Sequence, residues 1–419
     1  MRTDSCRLTA AGERPGRPNC ARYNARIVRP VSGPDIESGT VVVEGDIITW
    51  VGPRALAPPG RDVELGDLIL APGLVNAHTH LDLTVMRGRF AGLPFFEWIR
   101  KLTAARLDLS PAQLLDSART GIREGLLAGI TTYADTTPGD APFEAMRELG
   151  VRGIAYRELF GPDPRQCEAS MAGLREAVAA MRARETPLVR VGVSPHAPYS
   201  VSDELFSAVA DFARSESLPI ATHIAESEDE SQLVSSAEGA FAEFLRGRAI
   251  TVEPRARTPI DLLECRGVLG PNALLIHCIR CDRRDIATIA QHECGVASCP
   301  MSNRILGHGA APVAAMLDAN IRVGVGSDSM ASNDRMDMLR ESRLALGNRA
   351  SEREVWELAT LGGARALRLD HLIGSLERGK QADFAAFPRG ADPDGPTRAS
   401  FVAVAGRVLV NDGQLSGST

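Results

Sequence analysis

Between about residue 72 and residue 370, short apolar runs rich in β-branched residues alternate with amphipathic stretches, and this alternation constrains the fold most. The runs are GLVNAHTH (73–80), TTYADT (131–136), GIAYREL (153–159), LVRVGVS (188–194), PIATHIA (219–225), ALLIHC (273–278), GVASC (295–299) and RVGVGSD (322–328). Runs of this length and composition, bounded by turn residues, read as strands. The intervening SPAQLLDSARTGIREGLLAG reads as a helix, opened by Ser110 as N-cap with Pro111 in its first turn. Eight strand–helix units over about 300 residues predict an α/β fold, a (β/α)8 TIM barrel. No repeat of solenoid period competes with that reading.

The two ends follow a different pattern. ARIVRPV, GTVVVEG and DIITWVG near the start, and KQADFAAFP and SFVAVAGRVLVND near the end, are short strands punctuated by Gly and Pro. They predict a small β-sandwich domain built from both ends, residues 21–71 with 371–412, beside a barrel over 72–370. Residues 1–20 are polar, rich in Arg and Pro, and are expected to be a disordered extension.

Composition excludes several classes of function. The formal charge of −6 offers no basic field for a nucleic-acid backbone. No apolar stretch approaches the roughly 18 residues of a membrane span, and the N-terminal segment lacks the apolar core of a secretory signal. Eight cysteines scattered along a long chain suggest a reduced, cytoplasmic setting. Cys278 and Cys281 have C-x-x-C spacing but no second pair, which argues against a zinc knuckle. The expected partner is a small-molecule substrate, with neither nucleic acid nor membrane, and homo-oligomerisation is left open.

In a (β/α)8 barrel the active site lies at the C-terminal ends of the strands. His78 and His80 end the first strand two residues apart, so their imidazoles point the same way. His196 follows strand four, His223 ends strand five, His277 ends strand six and Asp328 ends strand eight. The other three histidines, 292, 308 and 371, fall in helices or loops. Imidazoles and a carboxylate converging on one mouth suit one divalent metal, zinc foremost, with Fe2+ or Mn2+ accepting the same ligands. Glu226, three residues past His223, is close enough to reach that mouth, whereas Glu228, Asp229 and Glu230 read as an acidic helix start. Arg157, at the end of strand three, either meets an anionic substrate group or pairs with Glu158.

Several motifs together resemble the amidohydrolase superfamily, in its branch of metal-dependent deaminases. They are PGLVNAHTHLDLTVMRG (72–88), FFEWIRKL (95–102), SPHAPYS (194–200), THIAE (222–226), IHC (276–278), CPMSNRILGHG (299–309), GVGSDSMASND (324–334) and GSLERGKQADF (374–384), spanning nearly the whole chain. The resemblance implies a mononuclear centre with His78, His80, His223 and Asp328 as ligands. It implies Glu226 and His277 as catalytic residues alongside Asp328, and Glu97 and His196 as contacts to a sugar. Within the branch the chain is similar to the aminodeoxyfutalosine deaminases and to the S-adenosylhomocysteine/methylthioadenosine deaminases, with YRELFG and FFEWIRKL inclining toward the former. Binuclear members use a carbamylated lysine on strand four. The only lysines here are Lys101 and Lys380, so that type of site is excluded.

The expected activity is hydrolytic deamination of an aminated purine-type ring. Glu226 would protonate the ring nitrogen, Asp328 would take the water proton, and His277 would orient the water. An s-triazine chlorohydrolase or deaminase, or a guanine-type base deaminase, would use the same site. A barrel that binds without catalysis would have lost its ligands, and all of them are present.

Overall fold

The computed structural model describes residues 20–347, 350–390 and 395–416. Residues 1–19 of the expected N-terminal extension lie outside the described residues. Cys20, expected within that extension, instead opens the first strand, where it faces Glu44 of the next.

The barrel sheet has eight strands, paired in chain order: Leu74–Thr79, Ile130–Thr137, Arg152–Leu159, Val189–Pro195, Ile220–Ile224, Ala273–His277, Gly295–Ser298 and Arg322–Val325. The ladders within this sheet are parallel. Strands one to eight are numbered here in that order. Strand eight returns to strand one through a parallel bridge between Thr79 and Asp328, and the amide of Asp328 donates to the His78 carbonyl at 3.1 Å. Most side chains filling the barrel are small or β-branched, among them Val75, Ala77, Ala134, Ile154, Ala221 and Ile276, with Tyr156 and Leu274 larger. A larger apolar layer joins the outer faces of the strands to the surrounding helices. The helix Pro111–Leu127 starts as expected: Ser110 Oγ accepts from the Gln113 amide, and the Gln113 side chain accepts from the Ser110 amide.

Close packing at the seam depends on one glycine. A Cβ on Gly326 would lie 2.6 Å from the His78 carbonyl oxygen and 2.8 Å from the His78 Cβ. Only glycine lets strand eight lie against His78 without pushing that imidazole out of place.

Strands from both ends make one mixed eight-stranded sheet. The reason is the twelve-residue strand Arg61–Pro72. It pairs in parallel with Cys20–Val28 through its first part and antiparallel with Phe384–Pro388 through its last, tying N-terminal and C-terminal strands into one ladder. Tyr23, Val41, Ile48, Leu70, Phe384 and Phe401 fill its core. No helix among the described residues is long and apolar enough to cross a membrane.

Candidate active site

The strand ends bring together the histidines that the sequence puts there. His78 and His80 come from strand one and the turn after it, and His223 from strand five. One ring nitrogen from each lies within 4.8 Å of the others. His80 Nε2 and His223 Nε2 stand 3.2 Å apart. Asp328 Oδ1 lies 3.4 Å from His78 Nε2 and 3.6 Å from His80 Nε2. The other Asp328 oxygen accepts from the Ser302 hydroxyl at 2.5 Å and from Ser332 at 3.1 Å, which fixes the carboxylate's orientation.

The backbone is strained where it delivers these groups. Ala225, His277 and Asp328 adopt φ of +52°, +75° and +56°, a region that costs a residue with a Cβ about 1 kcal/mol or more. Neighbouring chain holds them there. The Ala225 carbonyl accepts from the amides of Ile279 and Arg280, both at 2.8 Å, and the Cys278 amide donates to Ile224 O at 3.1 Å. The strain turns the side chains at the ends of strands five, six and eight onto one centre.

Burial sets the charge states. It pushes His80 down to about 4, His277 to about 4 and His196 to about 3, and it lowers His78 and His223 as well. Neutral imidazole is the form that ligates metal. Burial also pushes up on Asp328, but His78 beside it and the nearby histidines outweigh it and hold the group well below the carboxylate range. Glu226 moves the other way, raised well above that range by burial, with Asp328 and Glu230 adding to the effect.

These residues fit a divalent cation. Among the described residues both ring nitrogens of His78 are buried without a hydrogen-bond partner, an arrangement too costly to keep unless something occupies it. Three neutral imidazoles and an ionised carboxylate are also the donor set such an ion takes.

Glu226 and His277 lie beside this centre, with Glu226 Oε1 3.5 Å from His277 Nε2. His277 Nδ1 donates to Asn303 Oδ1 at 3.1 Å, so Nε2 faces the site. His308, which the sequence leaves in a loop without a role, comes within 3.8 Å of Glu226 Oε1, and its ring packs on Phe95. His196 stacks obliquely on His223 with ring centres 4.8 Å apart, and its Nδ1 is bonded to Ser200 Oγ.

Two expected substrate contacts are not brought to this centre. Glu97 is exposed on the helix Phe95–Leu107 and pairs with Lys101 one turn on; it is Phe95 that turns inward. Arg157 points out of the barrel and pairs with Asp140 at 3.0 Å, neither meeting the mouth nor pairing with Glu158. The period of two then turns its neighbour Glu158 inward, to 3.9 Å from His223 Nδ1.

Glu230 corrects another expectation. It is fully buried, not a solvated helix start. Its two oxygens accept from the amides of Ala225 and Glu226, each at 2.8 Å, and its own amide donates to Ser227 Oγ. The S-x-x-E spacing of a capping box was the signal for it. Glu230 therefore positions Glu226 through the backbone. Glu230→Ala should lower kcat roughly 10-fold or more with little change in KM, because two buried amides lose their acceptor. An unchanged kcat would remove this positioning role.

Residues 69–418 match the amidohydrolase family. The chain is 32% identical over 372 residues to the 5-methylthioadenosine/S-adenosylhomocysteine deaminase of Moorella thermoacetica, covering 84% of this chain and 82% of that one. Among solved structures it is similar to an adenosine deaminase from Xanthomonas campestris with bound zinc, with a TM-score of 0.84 and 26% identity, covering 97% of this chain and 96% of that one. It is also similar to the zinc complex of atrazine chlorohydrolase from Arthrobacter aurescens TC1, with a TM-score of 0.81 and 25% identity, covering 95% and 97%. With its eight-stranded parallel barrel and its cluster of three histidines and an aspartate at the strand ends, the chain belongs to the amidohydrolase family.

Proposed function

We propose that this protein is a zinc-dependent deaminase acting on the adenine ring of a 5′-substituted adenosine, of the methylthioadenosine and S-adenosylhomocysteine class. The observation that carries the reading is the pair of Glu226 Oε1 and His277 Nε2, 3.5 Å apart, set beside a cluster of neutral histidines and Asp328. Names of the relatives support it, and so does the zinc in the similar structures.

His78, His80, His223 and Asp328 would hold the ion. When bound there, it supplies a Lewis acid that makes water nucleophilic near neutral pH. The chain's own groups manage the protons. Buried Glu226 carries its carboxyl proton and delivers it to the ring nitrogen next to the amino-bearing carbon, which makes that carbon electrophilic. Asp328 accepts the proton lost by the attacking water. His277, oriented by Asn303, holds that water by accepting a hydrogen bond at Nε2. The new C–O bond replaces the C–N bond: Asp328 would pass its proton to the amino group, which leaves as ammonia, and the new hydroxyl would return a proton to Glu226 as the ring carbonyl forms.

The atrazine chlorohydrolase likeness gives the one competing reading, displacement of chloride from a triazine at the same centre. A panel of adenosine, methylthioadenosine, S-adenosylhomocysteine, aminodeoxyfutalosine, guanine and chlorinated triazines separates the two, read by ammonia and by chloride. We expect ammonia, with the highest kcat/KM on an adenosine carrying a 5′ substituent. Chloride release alone, or preference for a free base, would reject the proposal.

A further inference from the structure

One imidazole beside Glu226 has no part in the steps above. His308 lies beyond the helix Pro300–Ile305 that follows strand seven, between Gly307 and Gly309, whose φ of +74° and +97° favour glycine. These turns fold the loop back, and the His308 amide donates to the Asn303 carbonyl at 2.9 Å. Its ring lies edge-on to Phe95, and its Nε2 is buried with no hydrogen-bond partner among the described residues. A buried ring nitrogen left this way is destabilising unless a partner comes within reach.

Three partners compete for that nitrogen: an ion, a substrate atom, or Glu226. Among the described residues, the side chains grouped closely enough to share an ion do not include His308. A substrate atom would have to reach a nitrogen that is buried away from the mouth. Glu226 needs no opening, because its Oε1 already stands 3.8 Å from His308 Nε2. That is longer than a hydrogen bond, and catalytic contacts of this kind tighten when substrate closes the site.

Oε1 is flanked by two imidazoles of opposite character. His277 gives its N–H to Asn303 Oδ1, so its Nε2, 3.5 Å from Oε1, can only accept. His308 is neutral, lowered to about 4 by burial with Arg280 adding to the effect, and it has one N–H to give. Of the two rings, only His308 can therefore donate to Oε1. Such a bond leaves the acid proton of Glu226 on Oε2. It also strengthens once that proton has gone to the ring, because Oε1 then shares a negative charge. We propose that His308 is a positioning residue for the deamination: its Nε2–H donates to Glu226 Oε1, keeps the acid proton on Oε2 and stabilises the carboxylate left after proton transfer. This rests on the reading of Glu226 as the acid given above. Asn303 then sets both imidazoles, His277 through its side chain and His308 through its backbone carbonyl.

The test compares His308→Phe, which keeps a ring against Phe95 but has no N–H, with His308→Gln, whose amide nitrogen takes the place of Nε2. Each is measured for kcat and KM on the best adenosine derivative and for metal per chain, with Tm to show that it is folded. His308→Phe should lower kcat about 10- to 100-fold, the scale of a hydrogen bond to a charged group, with KM changed less than about threefold and metal unchanged. His308→Gln should recover most of that loss. In a Glu226→Gln background, where no carboxylate forms, His308→Phe should cost less than about threefold further. The reverse order, phenylalanine as active as the parent and glutamine impaired, would overturn the proposal and assign His308 to packing. A loss carried by KM, or one equally large in the Glu226→Gln background, would overturn it as well. In each of those cases the parent still deaminates adenosine derivatives, and only this proposal falls. If the parent releases no ammonia from any of them, the functional reading falls and takes this one with it.

Discussion

Replacing Glu226 with glutamine lowers kcat at least ~100-fold and leaves the metal in place. Glutamine keeps the length and shape of the side chain, so its neighbours His277 and His308, at 3.5 and 3.8 Å, have no cause to move. What it lacks is a transferable proton. Burial, with Asp328 and Glu230 adding to it, raises Glu226 well above the usual carboxyl range, which keeps that proton on the acid at neutral pH. Glu226 is not among the ion's proposed ligands, so metal per chain should match the parent. Ammonia release under saturating substrate, together with metal analysis, checks both halves. Turnover near the parent's would remove Glu226 as the acid, and a parallel loss of metal would make it a ligand instead.

Stripping the metal with a chelator abolishes turnover and lowers thermal stability, and added zinc restores both. The centre is expensive to leave unfilled. Both nitrogens of His78 lack hydrogen-bond partners among the described residues, and His80 Nε2 and His223 Nε2 face each other at 3.2 Å. An ion bound only by the folded chain, at a concentration 1,000 times its Kd, contributes about 4 kcal/mol. Removing it should lower Tm by roughly 5 °C or more. Melting curves of chelated, untreated and zinc-reloaded protein measure this without reference to activity. A chelated protein that keeps its Tm would show that the cluster holds no ion of structural weight.

Much of this could be read in the sequence, because a barrel converts chain order into place. Once eight strands alternate with helices, a residue ending a strand must sit at the mouth. His78, His80, His223, His277 and Asp328 were therefore legible one by one. The phase of a strand was harder. Arg157 and Glu158 are adjacent and both polar, and only the pairing of strand three with its neighbours decides which faces inward. Glu230 was hidden inside the acidic run of residues 228–230, whose other two members behave as solvated helix-start residues; the cap signature beginning at Ser227 marked it out. The two-ended sheet was visible as strands, but its single ladder depends on how far Arg61–Pro72 extends, which local pattern does not reveal.

The seam that closes the barrel joins residues 249 positions apart, Thr79 to Asp328, and the proposed ligands lie on both of its sides. During synthesis, a nascent chain that has not reached Asp328 has three of its four ligands and no eighth strand to lock His78 in place. Its contacts of greatest sequence separation form last, which makes folding slow. Any product that stops short of strand eight would lack the Asp328 carboxylate at this centre. On the proposed ligand set, all four donors can meet one ion only once Asp328 has been made and the seam to Thr79 has closed.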